Sequence, residues 1–190
     1  MRTTIRLLGL VVLVAAASLT ARAADTYMVD PVHSSISFKI SHIGISYIHG
    51  RFDDFSGQFT IDKDDPSKSS FALSIKVESV DTNNPKRDEH LRNADYFNAK
   101  QFPAMTFQST SVKPVPGGYD VTGDLTLHGV TKPVGFTLKG GDKTVEFPKG
   151  MQRIGFTTNL VIKRSDFDMK TDLGALGDEI PIDIGVEAAK

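Results

Sequence analysis

From residue 35 onward the chain keeps setting an apolar residue beside a polar one. Ile36, Phe38 and Ile40 alternate with Ser35, Ser37, Lys39 and Ser41. Phe71, Leu73, Ile75 and Val77 alternate with Ala72, Ser74, Lys76 and Glu78. The same beat returns at Met105 and Phe107, at Tyr119, Val121, Leu125 and Leu127, and at Val134, Phe136 and Leu138. It returns again at Ile154, Phe156, Leu160 and Ile162, and finally at Ile180, Ile182, Ile184 and Val186. Successive side chains of a strand point to opposite faces, so a period of two predicts strands with one buried face.

A second strand follows the first through Gly44, which permits a sharp turn. It carries Phe52, Phe55 and Phe59. Phe52 and Phe55 differ in parity, so a bend near Asp53-Asp54 is needed if both are to face one core. Asp25 to Pro31 reads as a lead-in, Gly140-Gly141 as a hairpin turn, and Arg164 to Gly177 as irregular chain with a small apolar cluster at Phe167 and Met169.

One stretch breaks the rhythm. Asn84 suits a helix N-cap and Pro85 the first helical position, which predicts a helix over residues 85–92. Leu91, Phe97 and Phe102 then give it an apolar end, suited to covering one end of a barrel or sheet. Helical periodicity is weak elsewhere, so parallel βαβ units are not expected. About eight strands joined by short turns make the chain all-β and antiparallel. Long strands with internal glycines as kink sites favour an eight-stranded antiparallel barrel, with one short helix near one end, over a two-layer sandwich.

Arg2 and Arg6, the apolar run Leu7 to Ala17 and Ala21-Arg22-Ala23 read as a secretory signal peptide over residues 1–23, leaving a single domain at 24–190. The apolar run is short of the ~20 residues of a membrane-spanning helix. Without the three arginines of that segment, 19 basic side chains stand against 23 acidic ones, a net charge of about −4. Such a surface exerts no pull on nucleic acid or on anionic headgroups. There is no cysteine, hence no disulfide, thiol catalyst, thiolate metal site or lipid-bearing cysteine. The expected location is the periplasm, with no membrane anchor after cleavage; release from the cell is the alternative.

Candidate chemistry is thin. The five histidines form no H-E-x-x-H pair. His33, His42 and His49 lie near one strand connection, where a three-histidine metal site is conceivable. His33 and His128 stand beside turns and are expected to bond backbone there. There is no G-x-S-x-G elbow and no glycine-rich phosphate loop. Asp62, Asp64 and Asp65 lack the downstream glycine and glutamate of a calcium loop. No catalytic residue, metal or cofactor is expected. An enzyme using His42 and His90, or a structural protein with a filled core, remain the other two readings.

Several motifs occur in order: DPVHSSISFKISHIGIS at 30–46, G-R-F-x-x-F-x-G at 50–57, DEHLRNADYFNAKQFPAMTFQST at 88–110, VTGDLTLHGVTKPV at 121–134, and Gly177-Asp178-Glu179 before the last strand. Together they resemble the YceI-like family of lipid- and polyisoprenoid-binding proteins. One departure is Asp168, where glycine is expected. The resemblance implies a lipocalin-like barrel that holds a long apolar amphiphile, an isoprenoid, quinone-like or lipid tail, non-covalently and without a catalytic role. It also implies that a homodimer is possible. The cavity lining is then expected from Ile36, Phe38, Ile40, Phe59, Phe71, Leu73, Ile75, Phe97, Phe107, Leu125, Phe136, Phe156 and Leu160. A polar rim is expected from His42, His90, Arg51 and Arg92.

Overall fold

Eleven strands and one α-helix follow one another in a computed structural model that describes residues 24–190. The proposed signal peptide lies outside the described residues. The strands are β1 (Asp25–Val29), β2 (Ser35–His42), β3 (Ser46–Phe52), β4 (Phe55–Ile61), β5 (Ser70–Lys76), β6 (Val80–Asp81), β7 (Ala104–Val115), β8 (Gly118–Leu127), β9 (Val130–Glu146), β10 (Gln152–Lys163) and β11 (Glu179–Ala189). Helix α1 spans Pro85–Arg92.

Three pairs of these strands are single staves bent in the middle. β1 and β2 both run beside β11, interrupted by the 3-10 turn Pro31–His33. β3 and β4 part at Asp53-Asp54, the bend that the opposite parities of Phe52 and Phe55 demand, and both phenylalanines are buried. β5 and β6 are parted by the turn Val77–Ser79. Each stave pairs antiparallel with its neighbour in sequence, and β11 returns to β1. The result is a closed eight-stranded antiparallel barrel with one helix.

Two local features differ from the sequence reading. Asp25–Val29 is a strand, not a lead-in. Tyr27 and Val29 point inward and are buried, and β1 closes the barrel by pairing with both β4 and β11. Gly140-Gly141 is a bulge inside β9 and not a hairpin turn; the turn comes after Glu146. Both glycines have left-handed φ, and a Cβ on Gly141 would lie 2.3 Å from the Phe156 ring. The strand therefore bends inward around that ring and continues. Asp168 has φ 62° and ψ 17°, the left-handed geometry for which glycine is the easy choice. Aspartate tolerates it, and the Asp168 N–H donates to the Ser165 carbonyl at 3.2 Å.

The β2–β3 turn places Ile43 (φ 45°) and Gly44 (φ 72°) at its centre, with the Ile45 N–H donating to the His42 carbonyl at 3.2 Å. Asn-Gly is the favoured pair for such a turn. A β-branched residue there costs about 1–2 kcal/mol.

A polar clasp holds the β1 end shut. Arg153 on β10 donates to Asp30 at 2.8 Å and to Glu187 on β11. Asp30 also caps the turn at Val32 and meets His33 Nδ1 at 2.9 Å. His33 therefore bonds a side chain, where backbone was expected. The Arg153 guanidinium, followed by His33, holds the Asp30 carboxyl well below the usual carboxylate range. A carboxyl depressed on folding adds stability above its unfolded value of about 4 and loses it as pH falls through the folded value. Thermal melts between pH 7 and pH 2 should therefore show wild type above Asp30→Asn at neutral pH, with the gap closing toward pH 2. Asparagine keeps the cap and removes the charge, so a constant gap would refute the assignment.

Candidate functional site: a half-hollow barrel

The barrel is filled at one end and hollow at the other. At the β1 end, Phe59, Phe71 and Phe156 stack edge to face, with ring centroids 5.3 to 5.6 Å apart. Tyr119 joins them at 5.7 Å from Phe71. Tyr27, Ile61, Val112, Val121, Ile154, Val186 and Ala188, all buried and outside the cavity lining, pack with this layer. Above it lies a cavity of about 430 Å³.

Of the expected lining, Ile36, Phe38, Ile40, Leu73, Ile75, Phe97, Phe107, Leu125, Phe136 and Leu160 face this cavity. Phe59, Phe71 and Phe156 do not. They share the inward parity but sit one level lower, where they pack on each other as the cavity floor. Two rings lie over strand glycines: a Cβ on Gly50 would meet Phe38, and one on Gly123 would meet Phe107, both at 2.4 Å. Without side chains at those positions the rings lie flat against the wall, and the middle stays open.

Polar groups gather at the open end, framed by α1 and by residues 172–176. His42 and His90 line the cavity as expected. His90 stacks edge-on with Tyr96 at 5.0 Å and lies 3.7 Å from the Asp95 carboxylate. Arg51 and Arg92 do not reach the cavity. Arg51 has the outward parity of β3 and pairs with Asp53 and Asp81 at 2.7 and 2.8 Å. Arg92 donates to the Glu78 and Val80 carbonyls at 2.7 and 3.0 Å.

Arg87 takes the arginine position instead. At about 100° per residue, Arg87 and Arg92 lie about 140° apart around the helix, so only one can face inward. Arg87 donates to the Thr82 hydroxyl at 2.7 Å and carbonyl at 2.6 Å, and the Thr82 hydroxyl donates to the buried carboxylate of Asp88 at 2.5 Å. Asn84 accepts from the Arg87 N–H at 3.1 Å, which fixes where the helix starts and so which way Arg87 points. The sequence signal for this was the cap itself, from which the helix face is countable.

Residues 169–177 cross this end and are tied down. Arg164, buried among apolar side chains, donates to the carbonyls of Met169, Thr171, Leu176 and Gly177 at 2.7 to 3.2 Å. Burial pushes its guanidinium pKa down. Tyr96 donates to Asp172 at 2.8 Å, and burial followed by that carboxylate pushes its phenol up, so it remains a donor at neutral pH. The Ile43 N–H donates to the Ala175 carbonyl at 2.6 Å. No sequence motif announced Arg164, because its partners are backbone atoms of an irregular loop.

His33, His42 and His49 are not brought together. Among the described residues, Asp30, His33 and Glu187 form the one grouping with metal-like spacing, and Arg153 already neutralises it. His128 Nδ1 lies 3.2 Å from the Phe167 carbonyl, the backbone contact expected of it. The cavity lining contains no serine or cysteine; its hydroxyls are Thr82, Thr106 and Tyr96.

This apolar, half-filled antiparallel barrel matches one family along nearly its whole length: the YceI-like domain model covers residues 27–188. The chain belongs to the YceI-like family. Protein YceI of Escherichia coli O157:H7 is 44% identical over 176 residues, covering 90% of each chain. YceI of Salmonella arizonae is 44% identical over 161 residues, covering 83% of this chain and 82% of that one. Among solved structures, Burkholderia cenocepacia BcnA superposes with a TM-score of 0.74 at 27% identity, covering 84% of this chain and 98% of that one. A domain from Saccharophagus degradans, described as polyisoprenoid-binding, shares the fold at 20% identity and a TM-score of 0.65, covering 85% and 97%. YceI-family membership and this cavity point to a binding protein rather than an enzyme.

Proposed function

We propose that this YceI-like protein is a periplasmic binding or carrier protein that holds the tail of a long apolar amphiphile in the hollow half of its barrel. An isoprenoid, a quinone-like tail or a lipid chain fits this chemistry. The observation that carries the reading is the cavity above the Phe59–Phe71–Phe156 floor, walled by aliphatic and phenylalanine side chains. Its volume lies within the range, about 300–1,000 Å³, of sites that enclose one small molecule. The fold shared with a domain described as polyisoprenoid-binding is consistent with this guest class.

Size sets what is held. At ~30 Å³ per methylene-sized unit, taken from the volume of a water molecule, the cavity accepts roughly a dozen carbons. Burying ten methylenes contributes about 8 kcal/mol before ordering costs. Apolar packing alone thus supplies useful affinity, with little discrimination between similar tails. The remainder of a longer tail, or the headgroup, meets His42, His90, Arg87 and Thr82 at the mouth. Native mass spectrometry of gently purified protein should show an added mass, released by organic solvent, belonging to a lipophilic molecule. An unliganded mass in repeated preparations would defeat the proposal.

A further inference from the structure

The outside of the barrel is hydroxyl-bearing and charged, as along β8 at Asp120, Thr122, Asp124 and Thr126. The rule is broken at Met28, Val32 and Val161, at Val145, Phe147 and Met151 around the β9–β10 turn, and in a group beside the mouth. Ile43 is 54% exposed, Ile45 81%, Tyr47 59% and Leu173 41%. The first three occupy the β2–β3 turn and the start of β3. Leu173 belongs to the loop whose Ala175 carbonyl accepts from the Ile43 N–H. Ile43 is anomalous on two counts. Its left-handed backbone calls for asparagine or glycine, and its exposure calls for a polar side chain. Strain kept at an exposed apolar site points to a use for that side chain.

We infer that this hairpin tip is a lipid-surface contact, which seats the cavity mouth against a membrane leaflet from which the guest is drawn. The inference rests on the carrier reading above. The patch is continuous with the mouth, since His42, Ala175 and Leu176 line the cavity while Ile43 and Leu173 stand beside them on the outside. A guest with a dozen or more apolar carbons resides in lipid, so a carrier must meet it there. Tyr47 has the amphipathic ring favoured at a membrane interface, and Lys39 Nζ lies 5.2 Å from its centroid. A second copy fits less well. At ~200 Å² for a large side chain, four partly exposed ones offer roughly 500 Å², below the ~800 Å² per partner of a stable interface. The chain's negative charge gives no attraction to anionic lipid, so the contact is apolar and suits a neutral bilayer surface.

The test floats residues 24–190, which contain the whole barrel and lack the apolar leader, with dioleoylphosphatidylcholine vesicles. Wild type should co-float and remain bound in high salt, since screening acts on charges and not on apolar contact. Ile43→Asn with Ile45→Ser should lower vesicle partition at least fivefold yet melt no lower than wild type, because asparagine accepts the left-handed turn. Phe147→Ser serves as control: Phe147 is 70% exposed in the β9–β10 turn at the closed end and should leave partition unchanged. The inference is overturned if wild type does not float, if the double variant floats equally well, or if Phe147→Ser loses as much. A wild-type dimer in sedimentation velocity that the double variant lacks would overturn it too, by assigning the patch to a second copy. Uptake of a fluorescent fatty acid delivered from cyclodextrin reads the cavity separately. Uptake without vesicle binding sinks the membrane contact alone; no uptake by either protein sinks the carrier reading with it.

Discussion

Phe156→Ala should lower folding stability by about 3–5 kcal/mol, the usual cost of truncating a buried phenylalanine. The ring is 2% exposed and touches Phe59, Phe71 and Tyr119, with the Gly141 backbone beneath it. Little around it can move in, because Phe59 and Phe71 are cross-strand partners in fixed register and Gly141 carries no side chain. Domains are stable by only about 5–15 kcal/mol in all, so the loss is a large fraction. With a urea dependence of about 2 kcal/mol per M, the unfolding midpoint should fall by roughly 2 M. Phe107→Ala, in the hollow half, should cost clearly less. Its ring is half-buried and meets one aromatic neighbour, Phe136, at 5.2 Å. Equal losses at the two positions would mean that floor and wall are not energetically distinct.

Filling the hollow half should do the reverse: guest binding should collapse while the fold stays. Leu73→Trp combined with Leu160→Trp adds about a dozen non-hydrogen atoms to the lining and displaces as many from the guest. At about 0.3 kcal/mol per ligand atom, the loss is roughly 3.5 kcal/mol, or several hundredfold in affinity. Both leucines face the cavity, so the indoles enter empty space and avoid the overpacking penalty of about 1–3 kcal/mol met in a filled core. Titration with a fluorescent fatty acid reads the first effect and urea unfolding the second. Undiminished affinity in a folded double variant would place the binding site outside the barrel.

These two expectations mark the line between what parity shows and what it hides. Phe59, Phe71 and Phe156 have the same residue type and the same inward parity as Phe38, Phe107 and Phe136, and alternation assigns all six to the interior. It says nothing about height along the barrel axis. Height depends on which residue pairs with which across strands far apart in the chain, such as Phe156 with Val186 or Leu73 with Phe107. Of the four rim residues, Arg51 and Arg92 lie away from the cavity for a related reason. The apolar partners Ile48, Gly50 and Phe52 set the face of β3, and counting from them puts Arg51 outside. Counting from the Asn84 cap puts Arg87 inside and Arg92 against the β6 backbone. Arg164 was out of reach, because four carbonyls of an irregular loop leave no pattern of residue types.

The sequence by itself determined most of the strands, though not β1, together with the bend at Asp53-Asp54, the helix with its cap, and a mainly apolar interior surface. Those depend on local chemistry: a period of two, the parity of successive side chains, and a capping asparagine before a proline. Only the tertiary structure decided that the interior is half packed and half vacant. That division arises where rings from β4, β5 and β10 reach the same level and interlock, and where Gly50 and Gly123 let other rings lie back against the wall. Both are meetings between distant segments, set by register and stagger, which neighbouring residues along the chain do not encode.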